Sequence, residues 1–221
     1  MKVIFSFLCC LFFCISCFSQ TKDPVQTDAE AKQILDQASA KIKSYKSIQA
    51  VFTLQVQDAQ GASQGTKKGT VYMKGVKYKL LITGQEIYCD GKTVSTFDKS
   101  SNEVTITKFD PASGTMSPQK LFSNFYDKDF LYKVNGEQKQ GTKTVQEIEM
   151  TPIDKTRNFH KIYLYIDKKT HLITSGKMLD KSGSRYIYTV NSMNGKSDLP
   201  ESTFTFDKSK HPGVEEVNLN Q

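Results

Sequence analysis

The chain has few of the residues on which catalysis or metal binding usually rests. Four of its five cysteines fall within the first 17 residues, so only Cys89 lies well inside the chain and no internal disulfide can form once a leader is removed. There are three histidines, His160, His171 and His211, and none has a cysteine, carboxylate or second histidine at metal-ligand spacing. Each reads as a surface residue. No Gly-x-Ser-x-Gly elbow and no glycine-rich phosphate loop occurs. Arginine is confined to Arg157 and Arg185, and the many lysines are scattered over strands and turns, which describes a solvated outer face and not a nucleic-acid groove. Cys89 sits mid-strand without a histidine beside it and reads as a small buried hydrophobe. Glu147 and Glu149 share the outward face of one strand and read as solvated, not as an acid/base pair. These absences favour a binding protein over an enzyme, with no cofactor.

Lys2 is the only charge before Lys22, and Val3 to Phe18 is almost wholly apolar. That run is too short and too close to the terminus for a membrane span and reads as an export signal, residues 1–19, cleaved before Gln20. A competing reading cuts after Ser16 and lipidates Cys17. Either way the mature protein leaves the cytoplasm. Cleavage after Ser19 removes one of 30 basic and none of 23 acidic residues, taking the formal net charge from +7 to +6. The remaining residues 20–221 are enough for a single domain with a sizeable core.

Thr27-x-x-Glu30 reads as a capping box. Ala31, Ile34, Leu35, Ala38, Ile42 and Tyr45 then recur at helical spacing and form one apolar stripe. At Ile48 the period changes to two: Phe52, Leu54 and Val56 alternate with polar residues. Short strands at even spacing follow. They include Gly69 to Lys74, Lys77 to Ile82, Glu86 to Cys89, Thr93 to Phe97 and Glu103 to Lys108. Residues 109–129 break the rhythm, with a short apolar helix expected at Pro118 to Phe125. Strands resume at Phe130 to Val134, turn at Asn135-Gly136, and continue with Thr144 to Thr151, Phe159 to Asp167, His171 to Leu179, Arg185 to Asn191 and Ser202 to Phe206. The expected fold is mainly β with helices: an antiparallel meander of ten or eleven strands that curls into an open or closed barrel. The N-terminal helix would cover its apolar face, and the short helix at Pro118 to Phe125 is either a plain core-packing helix or a moving lid. Such a sheet encloses more apolar volume than one helix fills, and a lipid chain is a natural guest.

Several passages carry a family resemblance. They are Ile42-x-x-Tyr45-x-x-Ile48-Gln49-Ala50-x-Phe52, then Gly69-Thr70-Val71-Tyr72-Met73-Lys74, then Asp90-Gly91-Lys92-Thr93 with Phe97-Asp98. Pro118-x-x-Leu121-Phe122 and the ending from Ser202 through Pro212-Gly213-Val214 continue the series. In order and spacing, over nearly all of the mature chain, they resemble the periplasmic outer-membrane lipoprotein carrier proteins, the LolA family. The resemblance implies an incomplete, unclosed antiparallel β-barrel of about 11 strands, with the N-terminal helix and a short lid helix covering its open side. It also implies a monomeric periplasmic carrier for acylated lipoproteins, loaded by an inner-membrane lipoprotein-releasing transporter and delivering toward the outer membrane or an acceptor there. The same fold could instead serve a lipid or glycolipid binder, a membrane-anchored acceptor, or a fully packed structural module of the envelope.

Under the carrier reading the acyl chains lie against Phe52, Leu54, Val56, Met73, Leu80 and Ile82. Ile106, Leu121, Phe122, Ile148 and Leu164 extend that surface, and Ile34 and Leu35 close it from the helix. One departure stands out. The family commonly places Arg-Pro directly after the Tyr-x-Lys strand, where the arginine latches the lid; here those positions are Gly75 and Val76. Either Lys74 or Lys77 substitutes, or packing alone holds the lid. Lysine lacks the guanidinium fork.

Overall fold

The computed structural model describes residues 28–110, 126–195 and 198–220. The expected leader, the expected lid helix, Leu121 and Phe122 all lie outside them.

The first element among the described residues is helix α1, Ala29–Lys43, whose stripe Ala31, Ile34, Leu35, Ala38 and Ile42 is buried. Thr27, the cap expected from the sequence, lies outside the described residues; the N-cap is Asp28, and its carboxylate does two jobs. It accepts hydrogen bonds from the Glu30 and Ala31 amides at the helix start and from the Val134 amide at 3.0 Å, pinning the helix to the sheet. A strand meander follows: β1 Ile48–Gln57, β2 Ser63–Lys74, β3 Lys77–Ile82, β4 Gln85–Cys89, β5 Thr93–Asp98 and β6 Glu103–Lys108. After the short helix α2, Tyr126–Asp129, come β7 Phe130–Gln140, β8 Lys143–Pro152, β9 Phe159–Asp167, β10 Ile173–Asp180, β11 Arg185–Asn194 and β12 Glu215–Asn218.

All twelve strands form one sheet, ordered β12-β6-β5-β4-β3-β2-β1-β11-β10-β9-β8-β7. Its two edges, β12 and β7, do not pair with each other, so the barrel is unclosed as expected. β1 and β11 join the two halves through the register Leu54↔Tyr188 and Val56↔Tyr186. The stripe of α1 touches both halves. Ile34 and Leu35 pack with Ile148, Ile162 and Leu164 of β8 and β9, while Ile42 packs with Ala50, Val71, Met73 and Tyr78 of β1 to β3. In a flat sheet β3 and β8 would stand roughly 30 Å apart, which a helix about 22 Å long cannot bridge; the sheet therefore curls round α1.

The structure differs from the sequence expectation in several places. Asn135-Gly136 is not a turn: β7 runs through it with a bulge between Val134 and Gly136, and the turn comes at Gly141. Ser202 to Phe206 is not a strand: Glu201–Phe204 is a 3-10 turn that drives Phe204 into the core, at 1 % exposure. A twelfth strand, β12, pairs parallel to β6. Glu149 is not solvated: its side chain is 12 % exposed and ion-paired with Lys161.

Candidate functional site

Strand register decides which side chains share the face beneath α1. Ile48↔Met73, Ala50↔Val71 and Phe52↔Gly69 place the even positions of β1 beside the odd positions of β2. Val71↔Leu80 and Met73↔Tyr78 carry the face into β3, and Leu80↔Ile87 and Tyr78↔Cys89 carry it into β4. On the other side Leu54↔Tyr188, Tyr188↔Gly176, Gly176↔Leu164 and Leu164↔Ile148 carry it across to β8. Of the thirteen residues expected to hold acyl chains, ten therefore share one continuous inner face or the helix above it.

Those ten divide by cover. Ile34, Leu35, Ile148 and Leu164 are sealed between α1 and the β7–β10 wall, each at 4 % exposure or less. Met73 is buried under the C-terminal turn of α1, with Phe52 and Leu80 half-buried against the same cluster. Leu54, Val56 and Ile82 are only half-buried. They lie toward the end of the sheet bounded by the β1–β2 and β10–β11 hairpins, which touch through Arg185 and the Ala59 carbonyl at 3.3 Å. Among the described residues these three belong to none of the buried apolar clusters. The inner face thus has a closed part under α1 and an apolar part, next to the hairpin end, that α1 does not reach.

Ile106 is not brought to this face. Ser95↔Ile106 and Phe97↔Val104 put it on the opposite side of the sheet, where it packs with Phe97, Val104, Phe206 and Val214. That outer face is covered by the C-terminal segment. Phe206 and His211 stack at 4.7 Å, and both lie against Phe97. His211 is thus a packing residue, not a surface one.

The sequence reading passed over Tyr186, Tyr188 and Val190, although Tyr-x-Tyr-x-Val shows the same alternation as Phe52-x-Leu54-x-Val56, with which it pairs. Two rings lie flat on this floor because the strand beside each carries a glycine. A Cβ at Gly69 would stand 2.4 Å from the Phe52 ring, and one at Gly176 would stand 2.3 Å from the Tyr188 ring. Among the described residues the Tyr188 hydroxyl is buried with no hydrogen-bond partner, and burial raises its pKa above the ordinary tyrosine value.

Lys74 and Lys77 are both committed to the C-terminal segment. Lys74 donates to the Leu199 carbonyl at 2.9 Å and pairs with Glu201, and Lys77 pairs with Glu201 too. Gly75, at φ +57, serves only the β2–β3 turn. A polar recess of about 460 Å³ lined by Thr142, Lys143, Thr144, Asp167, Lys168 and Lys169 contains none of the apolar residues above. No group of histidine, cysteine and carboxylate side chains among the described residues could hold a metal ion.

Residues 43–207 match the family model described as outer membrane lipoprotein carrier protein LolA. An outer-membrane lipoprotein carrier protein of Cupriavidus necator is 30% identical over 90% of this chain and 95% of its own length. The corresponding protein of Cupriavidus taiwanensis is 31% identical over 81% of this chain and 86% of its own. The fold is shared with an uncharacterized conserved protein from Thermus thermophilus, at a TM-score of 0.59 and 14% identity over 86% of this chain and 99% of that one. The alternating strands, helix α1 packed on the inner face and the match over three quarters of the sequence lead to one assignment: the chain belongs to the LolA family of outer membrane lipoprotein carrier proteins.

Proposed function

We propose that this protein is a non-enzymatic carrier that is exported to the periplasm as a single mature domain, residues 20–221. There it shields the acyl chains of lipoproteins on the inner face of its sheet and moves them from the inner membrane toward the outer membrane. Family membership supports the lipoprotein cargo and the compartment. The single structural observation behind the reading is the half-buried apolar stretch of that face, Leu54, Val56 and Ile82, which lies outside the clusters sealed under α1 and is continuous with Phe52 and Leu80. An acyl chain leaving water gains about 0.8 kcal/mol per CH₂, so a sixteen-carbon chain is worth on the order of 12 kcal/mol and needs such a surface for any aqueous crossing. The inward positions of β1 supply it without a polar group. Loading by an inner-membrane transporter and release to an outer-membrane acceptor belong to the same proposal.

The test is release of an acylated lipoprotein from spheroplasts by Phe52→Glu. A carboxylate would replace the ring on the inner face, where desolvating a charge costs several kcal/mol. Release is expected to be lost while far-ultraviolet circular dichroism keeps the wild-type strand signal. Release at the wild-type level would overturn the proposal.

A further inference from the structure

Tyr188 carries a feature that core packing does not require. Its ring lies across Gly176, half-buried against the cluster under α1, and its hydroxyl is buried without a partner. Buried tyrosine hydroxyls ordinarily find a partner, because an unmade hydrogen bond costs more than a made one contributes. Phenylalanine would fill the same space over Gly176 without that cost. The position has a second property. Tyr188 pairs with Leu54, next along the same face from Tyr186 and Val56 at the hairpin end. Two residues of strand put Tyr188 roughly 7 Å inward of that end. An acyl chain entering there, with its head group left in water, would hold its carbonyl near this depth. Apolar ligand sites commonly combine oily walls with one or two polar groups that fix the ligand's position.

We infer that the Tyr188 hydroxyl is a hydrogen-bond donor reserved for the ester or amide carbonyl of a bound acyl chain. This rests on the carrier reading and adds a chemical specificity to it: acyl chains are favoured over plain alkyl chains of equal length. A small movement of the ring off Gly176 is enough to present the hydroxyl, because glycine offers no side chain to hold it.

The experiment uses the mature chain, Tyr188→Phe, and two fluorescein-labelled cysteinyl peptides. One peptide bears two palmitoyl ester chains and the other two hexadecyl ether chains, which have no carbonyl. Wild type is expected to bind the ester peptide more tightly. Tyr188→Phe should weaken the ester peptide about tenfold, equal to about 1.4 kcal/mol, and leave the ether peptide within about twofold. Its melting temperature should be unchanged or raised, since the variant loses a polar group that was buried alone. Equal weakening on both peptides, or none on either, would overturn the assignment while leaving the carrier reading standing. Wild type binding neither peptide would overturn both.

Discussion

Gly69 and Gly176 set the height of two aromatic rings on the inner face. Each accepts the ring of a residue from the neighbouring strand at a distance where no Cβ could stand. Gly69 is the tighter case, since its Cβ would also meet the Leu81 carbonyl at 2.8 Å, and backbone does not yield. Gly69→Ala should therefore cost about 1–3 kcal/mol in urea unfolding, and the raised Phe52 ring should reduce binding of the ester peptide. Stability within about 0.5 kcal/mol of wild type would show that the ring moves freely. The face occupied by a given apolar residue was only half legible in the sequence. Alternation tells which residues of one strand point the same way; it does not tell which way. Ile106 shares its period with Val104, which is fully buried, yet both point outward because residues 204–214 cover that side. Only the register with Ser95 reveals it. The flat rings were equally hidden, since a glycine's meaning depends on which side chain lies across it.

Helix α1 shows how a cap can also be a tertiary contact. Asp28 satisfies two helix amides and the Val134 amide, and its own amide donates to the Tyr132 carbonyl at 3.1 Å. The helix start is thereby tied to β7, an edge strand that would otherwise offer unpaired groups along this stretch. The bond from Val134, 106 residues away, was not legible in the local Thr27-x-x-Glu30 pattern. Hydrogen bonding, first from Val134 and then from the helix amides, holds the Asp28 carboxyl below the ordinary aspartate range, against a smaller opposing effect of burial. A carboxylate with a lowered folded-state pKa stabilises fully above its unfolded value, and that stability is lost as pH falls through the lowered value. Asp28→Ala should cost about 1–2 kcal/mol at neutral pH. The gap to wild type should narrow as pH is lowered from about 5 toward 2. A gap that stays constant over that range would mean the carboxylate charge contributes nothing. Asn135-Gly136 was misread at this level for a related reason: a glycine at positive φ serves a bulge as well as a turn, and only the partner strand distinguishes them.

Taken together, the twelve strands form one sheet with two differently covered faces. The inner face is closed by α1 over part of its length, and the outer face of β4 to β6 is closed by the C-terminal segment. That segment is anchored by Phe204, by the Lys74 and Lys77 pairs with Glu201, and by the parallel pairing of β12 with β6. Truncating Phe204 to alanine should cost about 3–5 kcal/mol, because the ring is fully enclosed. An unchanged denaturation midpoint would show that the segment is not part of the folding unit. Lys74 and Lys77, which flank the position of the family's arginine, both pair with Glu201. The sequence could not show this, because Glu201 lies 124 residues downstream of Lys77. The strand meander was legible because its signal is local. The C-terminal strap was not, because Phe204 lies in a 3-10 turn and is fully buried, while Phe206 packs on Tyr88 and Phe97, which lie on strands far away in sequence.

Leu54 and Gln55 are adjacent on β1 and point to opposite faces of the sheet. A photo-reactive benzoyl-phenylalanine placed at either position, irradiated while the protein carries an acylated lipoprotein, reports which face holds the lipid. The account requires a crosslink to the lipid-bearing end of the cargo from position 54 and none from position 55. Equal adducts from both positions, or an adduct from 55 alone, would contradict it.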